Sequence, residues 1–88
     1  MDMKFLNIYD DYCIQDLARG IDDRDWAFAL TDSDDGTKEK IFQNMSKQRE
    51  KGLKEEMATM GPVPFDKINE ARYKIFKYAR KTYYWVII

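Results

Sequence analysis

The sequence predicts an all-α fold: a compact bundle of five to six short helices, in a single domain over residues 1–88. Two observations lead to this. Aspartate or serine repeatedly precedes apolar residues spaced three and four apart, as in capped amphipathic helices. Glycine or proline stands where those periods stop, at Gly20, Gly61 and Pro62. No stretch reads as a convincing strand. The tail Tyr83–Ile88 has high β-propensity but no partner strand.

Each element follows from its own residues. Asp10 or Asp11 caps the first helix, whose apolar positions are Cys13, Ile14, Leu17 and Ala18. Gly20 follows, where a left-handed C-terminal residue is wanted. Asp22 caps a second helix. Asp23 and Asp25 lie in its first turn, at the positive end of the dipole, and Trp26, Ala27, Ala29 and Leu30 form its buried side. Thr31 to Gly36 is a polar loop. Asp34 or Asp35 caps a third helix carrying Ile41, Phe42 and Met45, and Ser46 caps a fourth. Gly61 ends the fourth helix and Pro62 blocks its continuation. Asp66 starts the fifth, with a core stripe of Ile68, Ala71, Ile75 and Ala79 and with Phe76 beside it. The N-terminal segment supplies the sixth, a single turn. The tail folds back over the core or, failing that, forms an association surface.

Composition narrows the function. The chain has no histidine, which removes the commonest general base and transition-metal ligand. Its one cysteine, Cys13, has no internal disulfide partner and reads as a small core residue in a reducing compartment. No apolar run approaches the roughly 20 residues of a membrane span, and the start Met1-Asp2-Met3-Lys4 lacks a secretory pattern. The expectation is a cytoplasmic protein that does not insert into a membrane. Net charge is −1, but residues 1–36 hold ten acids and three bases, whereas residues 64–88 hold six bases and two acids. That asymmetry suits mutual attraction within the fold, and beyond it the steering of charged partners.

Several tempting motifs have plainer readings. Asp32-Ser33-Asp34-Asp35-Gly36 starts like a calcium loop, but Thr37 and Gln43 occupy the places of the required glycine and glutamate, so it is a turn and cap. The basic stripe Arg72, Lys74, Lys77, Arg80 and Lys81, interleaved with Tyr73, Tyr78 and Tyr83, could hold phosphates, yet a pI of about 5.4 argues against nucleic acid. Glu55-Glu56 has no accompanying nucleophile or base, and adjacent helix residues diverge. Nothing points to an enzyme, a metal or a cofactor.

One uninterrupted stretch carries more. Lys38 to Lys47 reads K-E-K-I-F-Q-N-M-S-K, a charged helix follows, and Gly61-Pro62-Val63 makes the turn after it. This resembles the C-terminal domain of the bacterial flagellar motor switch protein FliG, whose pattern there is K-E-K-I-x-x-N-M-S-K and then G-P-V-R. Asp10-Asp11 with Ile14-Gln15, Ile21-Asp22 with Asp25 and Ala29-Leu30, and Glu70-Ala71 with Ile75 and Ala79-Arg80 are similar to further family positions. Met3-Lys4-Phe5 resembles the family's hinge. The resemblance implies armadillo-like, superhelical packing of the helices. It also implies a stator-facing rotor head corresponding to the last quarter of a family member, without the parts that mount it.

The resemblance further implies that the fourth helix meets charged stator loops or other rotor proteins, with no cofactor. Carried over by position, the acidic sites survive as Glu55 and Glu56. Three basic sites are replaced by Thr31, Gln48 and Pro64, while Lys47, Arg49, Lys51 and Lys54 keep the helix positive at other positions. The partner-binding candidates are therefore Lys47, Arg49, Lys51, Lys54, Glu55 and Glu56. The family's small residue pair is Arg49-Glu50 here, and Gly52 replaces an apolar residue, so the fourth helix is expected to be the least stable. The alternative is an adaptor or inhibitor that kept the scaffold and binds through its aromatic tail. Oligomeric state is left open.

Overall fold

In a computed structural model, residues 1–87 are described. Five α-helices follow a 3-10 helix at Met3–Ile8: α1 (Asp11–Gly20), α2 (Asp23–Leu30), α3 (Asp35–Phe42), α4 (Lys47–Thr59) and α5 (Phe65–Thr82). A second 3-10 helix, Tyr84–Ile87, comes after α5. The all-α expectation holds.

Caps decide where the helices begin. Asp10, not Asp11, accepts the Cys13 N–H at 2.9 Å, and Asp34, not Asp35, accepts the Thr37 N–H at 2.7 Å. Ser46 Oγ accepts the Arg49 N–H at 3.1 Å. Each satisfies a donor that the first helical turn leaves free. One expected cap and one expected helix start differ. Asp22 stands at the N-cap of α2 but makes no side-chain cap bond. Asp66 lies inside the first turn of α5, because Pro64, with φ of −58°, takes the N-cap place one residue before the helix begins.

Gly20 also has a different reason from the expected one. It ends α1 without positive φ. A Cβ there would lie 2.7 Å from Tyr78 Cζ, so glycine admits the Tyr78 ring against the end of α1. The left-handed positions are Gly61, with φ of +70°, and Asp32, with φ of 60°. Asp32 sits in the polar loop, where an aspartate tolerates that conformation.

α2 is central and packs against both α4 and α5, while α1 packs on α3 and α3 on the first 3-10 helix. Trp26 is fully buried among Ile14, Leu17, Leu30, Ile41, Leu53 and Ile75, and its indole N–H donates to the Ala18 carbonyl at 3.4 Å. Full burial of such side chains contributes roughly 1.5–3 kcal/mol each. The tail folds back over the core in part. Tyr83 is 4% exposed, meets the Tyr9 ring edge-on and donates its hydroxyl to Asp16, and Val86 packs against the core. Tyr84 and Trp85 stay exposed. Ile88 lies outside the described residues.

The basic stripe of α5 also divides. Arg72 is turned inward. Its Nε donates to the Ala29 carbonyl at 2.8 Å, Nη2 to the Thr31 carbonyl at 2.7 Å and Nη1 to the Met1 carbonyl at 2.6 Å. The guanidinium thus caps the C-terminus of α2, where carbonyls lack helical partners and a cation is favoured. Lys74 pairs with Asp25 at 3.0 Å. Neither has its charge free for phosphates.

Removing this fork takes the charged donor from the Met1 and Thr31 carbonyls and leaves the Ala29 carbonyl with the Ser33 hydroxyl alone. Arg72→Ala is expected to lower unfolding free energy by about 3 kcal/mol, and Arg72→Lys to restore less than half, because an ammonium cannot reproduce the planar fork. Urea denaturation checks both variants.

Two carboxyls at helix caps, two buried phenols and one buried thiol bear on how stability varies with pH. Helix N–H groups of Cys13 and Thr37 hold the Asp10 and Asp34 carboxyls below the usual range. Their contribution is complete above the unfolded carboxylate value of about 3.9 and disappears as pH falls through the lower folded values. Burial, followed by the Asp16 acceptor, pushes the Tyr83 phenol up, and burial likewise raises the Tyr9 phenol and the Cys13 thiol. Those contributions are complete below the unfolded values of about 10 and 8.5 and are lost as pH rises through the folded ones. The melting temperature should therefore fall on both sides of a central plateau. Asp10→Ala with Asp34→Ala makes the acid limb shallower, and Tyr83→Phe does the same to the alkaline limb.

Candidate functional site

α4 is built differently from its neighbours. Ser46 starts it, Gly61 and Pro62 follow its end, and Leu53 is its one buried side chain along Lys47–Thr59. A helix advances 100° per residue, so Lys47, Lys51 and Glu55, four apart, share its outward face. All three are exposed. Lys54 flanks them, exposed, with Nζ 2.8 Å from Glu50 Oε2 and 5.1 Å from the centre of the Phe42 ring. Glu56 is half-buried and diverges from Glu55, so the two do not form one acidic patch. The outward ridge is lysine-rich, with Glu55 at its edge.

Arg49 does not lie on that ridge. Its Nε donates to Asp23 Oδ1 at 2.7 Å, Nη1 to the Ala18 carbonyl at 2.6 Å and Nη2 to the Ile21 carbonyl at 3.0 Å. The side chain is engaged with the C-terminal end of α1 and the start of α2, leaving it poorly placed to meet a partner. The larger residue at the expected small position therefore gives α4 a polar anchor in place of an apolar one.

Between α3 and α4 runs an open groove of about 650 Å³. Phe42, 7% exposed, and half-buried Met45 supply its apolar surface, with Lys47, Lys54 and Glu50 along the α4 side. Met57 and Met60 line an adjoining recess that shares Phe42 and Lys54. The sequence marked Phe42 and Met45 only as core residues. Their spacing gives no sign that they also floor a groove, since that depends on how α3 meets α4. Of the three replaced basic positions, Gln48 is exposed, Thr31 donates its hydroxyl to the Ala27 carbonyl at 2.9 Å at the end of α2, and Pro64 is the N-cap of α5.

An all-helical domain that presents a charged ridge beside a mostly polar groove, with Phe42 and Met45 at its floor, has the form of a docking domain. The profile of the FliG C-terminal domain matches residues 3–83. The flagellar motor switch protein FliG of Thermotoga maritima is 46% identical over 72 residues, covering 82% of this chain and 22% of that protein. The Borreliella burgdorferi FliG is 40% identical over 74 residues, covering 84% of this chain and 22% of the relative. The structure of full-length FliG from Aquifex aeolicus superposes with a TM-score of 0.86 at 26% identity, over 92% of this chain and 25% of that one. The chain belongs to the FliG C-terminal domain family, a non-enzymatic family of the flagellar motor switch. It spans about a fifth of the length of these curated relatives.

Two substitutions test how α4 is held. Gly52 is exposed and nothing lies within 4 Å of an added Cβ, so Gly52→Ala should raise stability by about 1 kcal/mol through helix propensity. Arg49→Ala should lower it by roughly 2–3 kcal/mol through lost charged hydrogen bonds and the loss of a donor to the Ile21 carbonyl. Thermal and urea unfolding of the two variants give both numbers.

Proposed function

We propose that this domain is a rotor head that meets a charged cytoplasmic loop of the flagellar stator across the outward face of α4. Lys47, Lys51 and Lys54 attract acidic loop residues. Glu55, with Glu56 on the adjoining edge, attracts a basic one. Arg49 acts through position, fixing the start of α4 against the α1–α2 corner. The domain works on the cytoplasmic side of the membrane at the flagellar basal body, without a cofactor, and its partners are proteins rather than nucleic acid.

The exposure of Lys47, Lys51, Lys54 and Glu55 on a helix with one buried side chain carries this reading. Membership of the FliG family supports it. With Thr31, Gln48 and Pro64 at the replaced basic sites, the outward positive charge of α4 rests on Lys47 and Lys51, and Lys54 beside them shares its charge with Glu50. Contacts of this kind set encounter rate and orientation more than raw affinity.

Fluorescence anisotropy with a labelled stator-loop peptide tests the proposal. Affinity should weaken at least tenfold between roughly 20 mM and 300 mM salt, as exposed charges are screened. Lys47→Glu, Lys51→Glu and Lys54→Glu together should abolish binding while the circular dichroism melt persists. No binding at low salt, or unchanged binding by the triple variant, contradicts the proposal.

A further inference from the structure

A second surface lies on the last turns of α5 and the 3-10 helix after it. Tyr73, Phe76, Lys77, Arg80 and Lys81 follow at helical spacing, and exposed Tyr84 and Trp85 extend the strip. Lys77 Nζ stands 5.4 Å from the Tyr73 ring centre, and Arg80 Cζ stands 5.4 Å from that of Phe76. The rings are held in turn. Tyr73 stacks on Phe76 at 6.4 Å, Phe5 meets Phe76 edge-on at 5.1 Å, and Tyr83 meets Trp85 edge-on at 5.8 Å.

Apart from these ring contacts, the charges of the strip are left without carboxylate partners among the described residues. Arg72 and Lys74 on the same helix are engaged, but among the described residues Lys77, Arg80 and Lys81 make no ion pair. The recess between Phe76, Lys77, Tyr78, Arg80 and Lys81, about 580 Å³, has no carboxylate in its walls. Trp85, in the 3-10 helix that follows α5, is 57% exposed, and its ring is held edge-on by Tyr83 and Tyr84.

We propose that this strip is a docking surface for an acidic segment of a partner protein carrying an aromatic or aliphatic anchor. Pre-packed rings lose little freedom on binding, and Trp, Tyr and Arg are the side chains that dominate interface energetics. Three cations are few for phosphate-driven nucleic-acid binding by a chain of net charge −1. Exposed Asp66 and Glu70 share the same side of α5 toward its N-terminus, and would oppose a flat anionic membrane. A peptide can avoid them by placing its acids at the C-terminal end alone. The proposal uses no residue of the α4 ridge and does not rest on stator docking.

The test titrates the 88-residue protein with a short synthetic peptide rich in glutamate and phenylalanine. Trp85 fluorescence and amide chemical shifts report binding. Shifts should map to Tyr73–Trp85, and a peptide with glutamine for glutamate should bind at least about tenfold more weakly. Lys77→Gln with Lys81→Gln should weaken binding severalfold without changing the melt. Trp85→Ala should weaken it independently, and Lys47→Glu with Lys51→Glu should leave it intact. Absence of binding, equal binding of the glutamine peptide, or shifts confined to α4 overturns the proposal. So does tighter binding to phosphatidylserine vesicles or to single-stranded DNA, which would assign the strip to a lipid surface or nucleic acid.

Discussion

Two guanidinium forks at helix C-termini hold this domain in its shape. Arg49 reaches from the first turn of α4 to the Ala18 and Ile21 carbonyls at the end of α1, and Arg72 reaches from α5 to the Ala29 and Thr31 carbonyls at the end of α2. Both sites present carbonyls that helix geometry leaves without partners. Both also sit at the negative end of a dipole. Arginine suits the task because its planar head delivers several donors at fixed angles. The apolar core around Trp26 supplies the bulk of the driving force, as in any domain of this size. The forks add direction, since each joins elements distant in sequence at defined atoms.

The first fork bears on function. A helix that buries only Leu53 outright has little apolar grip on its neighbours. Anchored by Arg49 to α1 and by the Asp23 carboxylate to the start of α2, α4 can still hold a fixed place while leaving its outward face to Lys47, Lys51, Lys54 and Glu55. The groove alongside lies between α3 and α4, with buried Phe42 and half-buried Met45 at its floor and charged side chains along its walls. A polar anchor in place of apolar packing thus leaves the outward face of α4 free to carry a charged ridge.

Much of this was legible in the residues. Asp10, Asp34 and Ser46 act as caps because a short oxygen-bearing side chain before an apolar period has one natural place in a helix. The core stripe of Ile68, Ala71, Ile75 and Ala79 is buried as its spacing requires. The Lys38–Lys47 block and the Gly61-Pro62-Val63 turn carried the family relationship. Other features depend on neighbours that spacing does not reveal. An inward arginine and a solvated one look alike in a charged helix, so Arg49 read as a partner contact and Arg72 as part of a basic stripe. Gly20 answers to the approach of Tyr78 from a distant helix, not to a left-handed turn. α5 begins at Phe65, one residue before Asp66, because the fixed φ of Pro64 suits the place just ahead of a helix. The tail could not be divided into buried Tyr83 and exposed Trp85 without knowing where α5 stops.

Arginine side-chain Nε–H signals in a two-dimensional nitrogen–proton NMR spectrum address the forks most directly. Arg49 and Arg72 should give resolved signals, shifted from the free-arginine position and exchanging slowly with solvent. Exposed Arg19, Arg24 and Arg80 should exchange rapidly. If the Arg49 and Arg72 protons exchanged as fast as those three, the guanidinium closures would not hold in solution, and the account of how α4 keeps its place would fail.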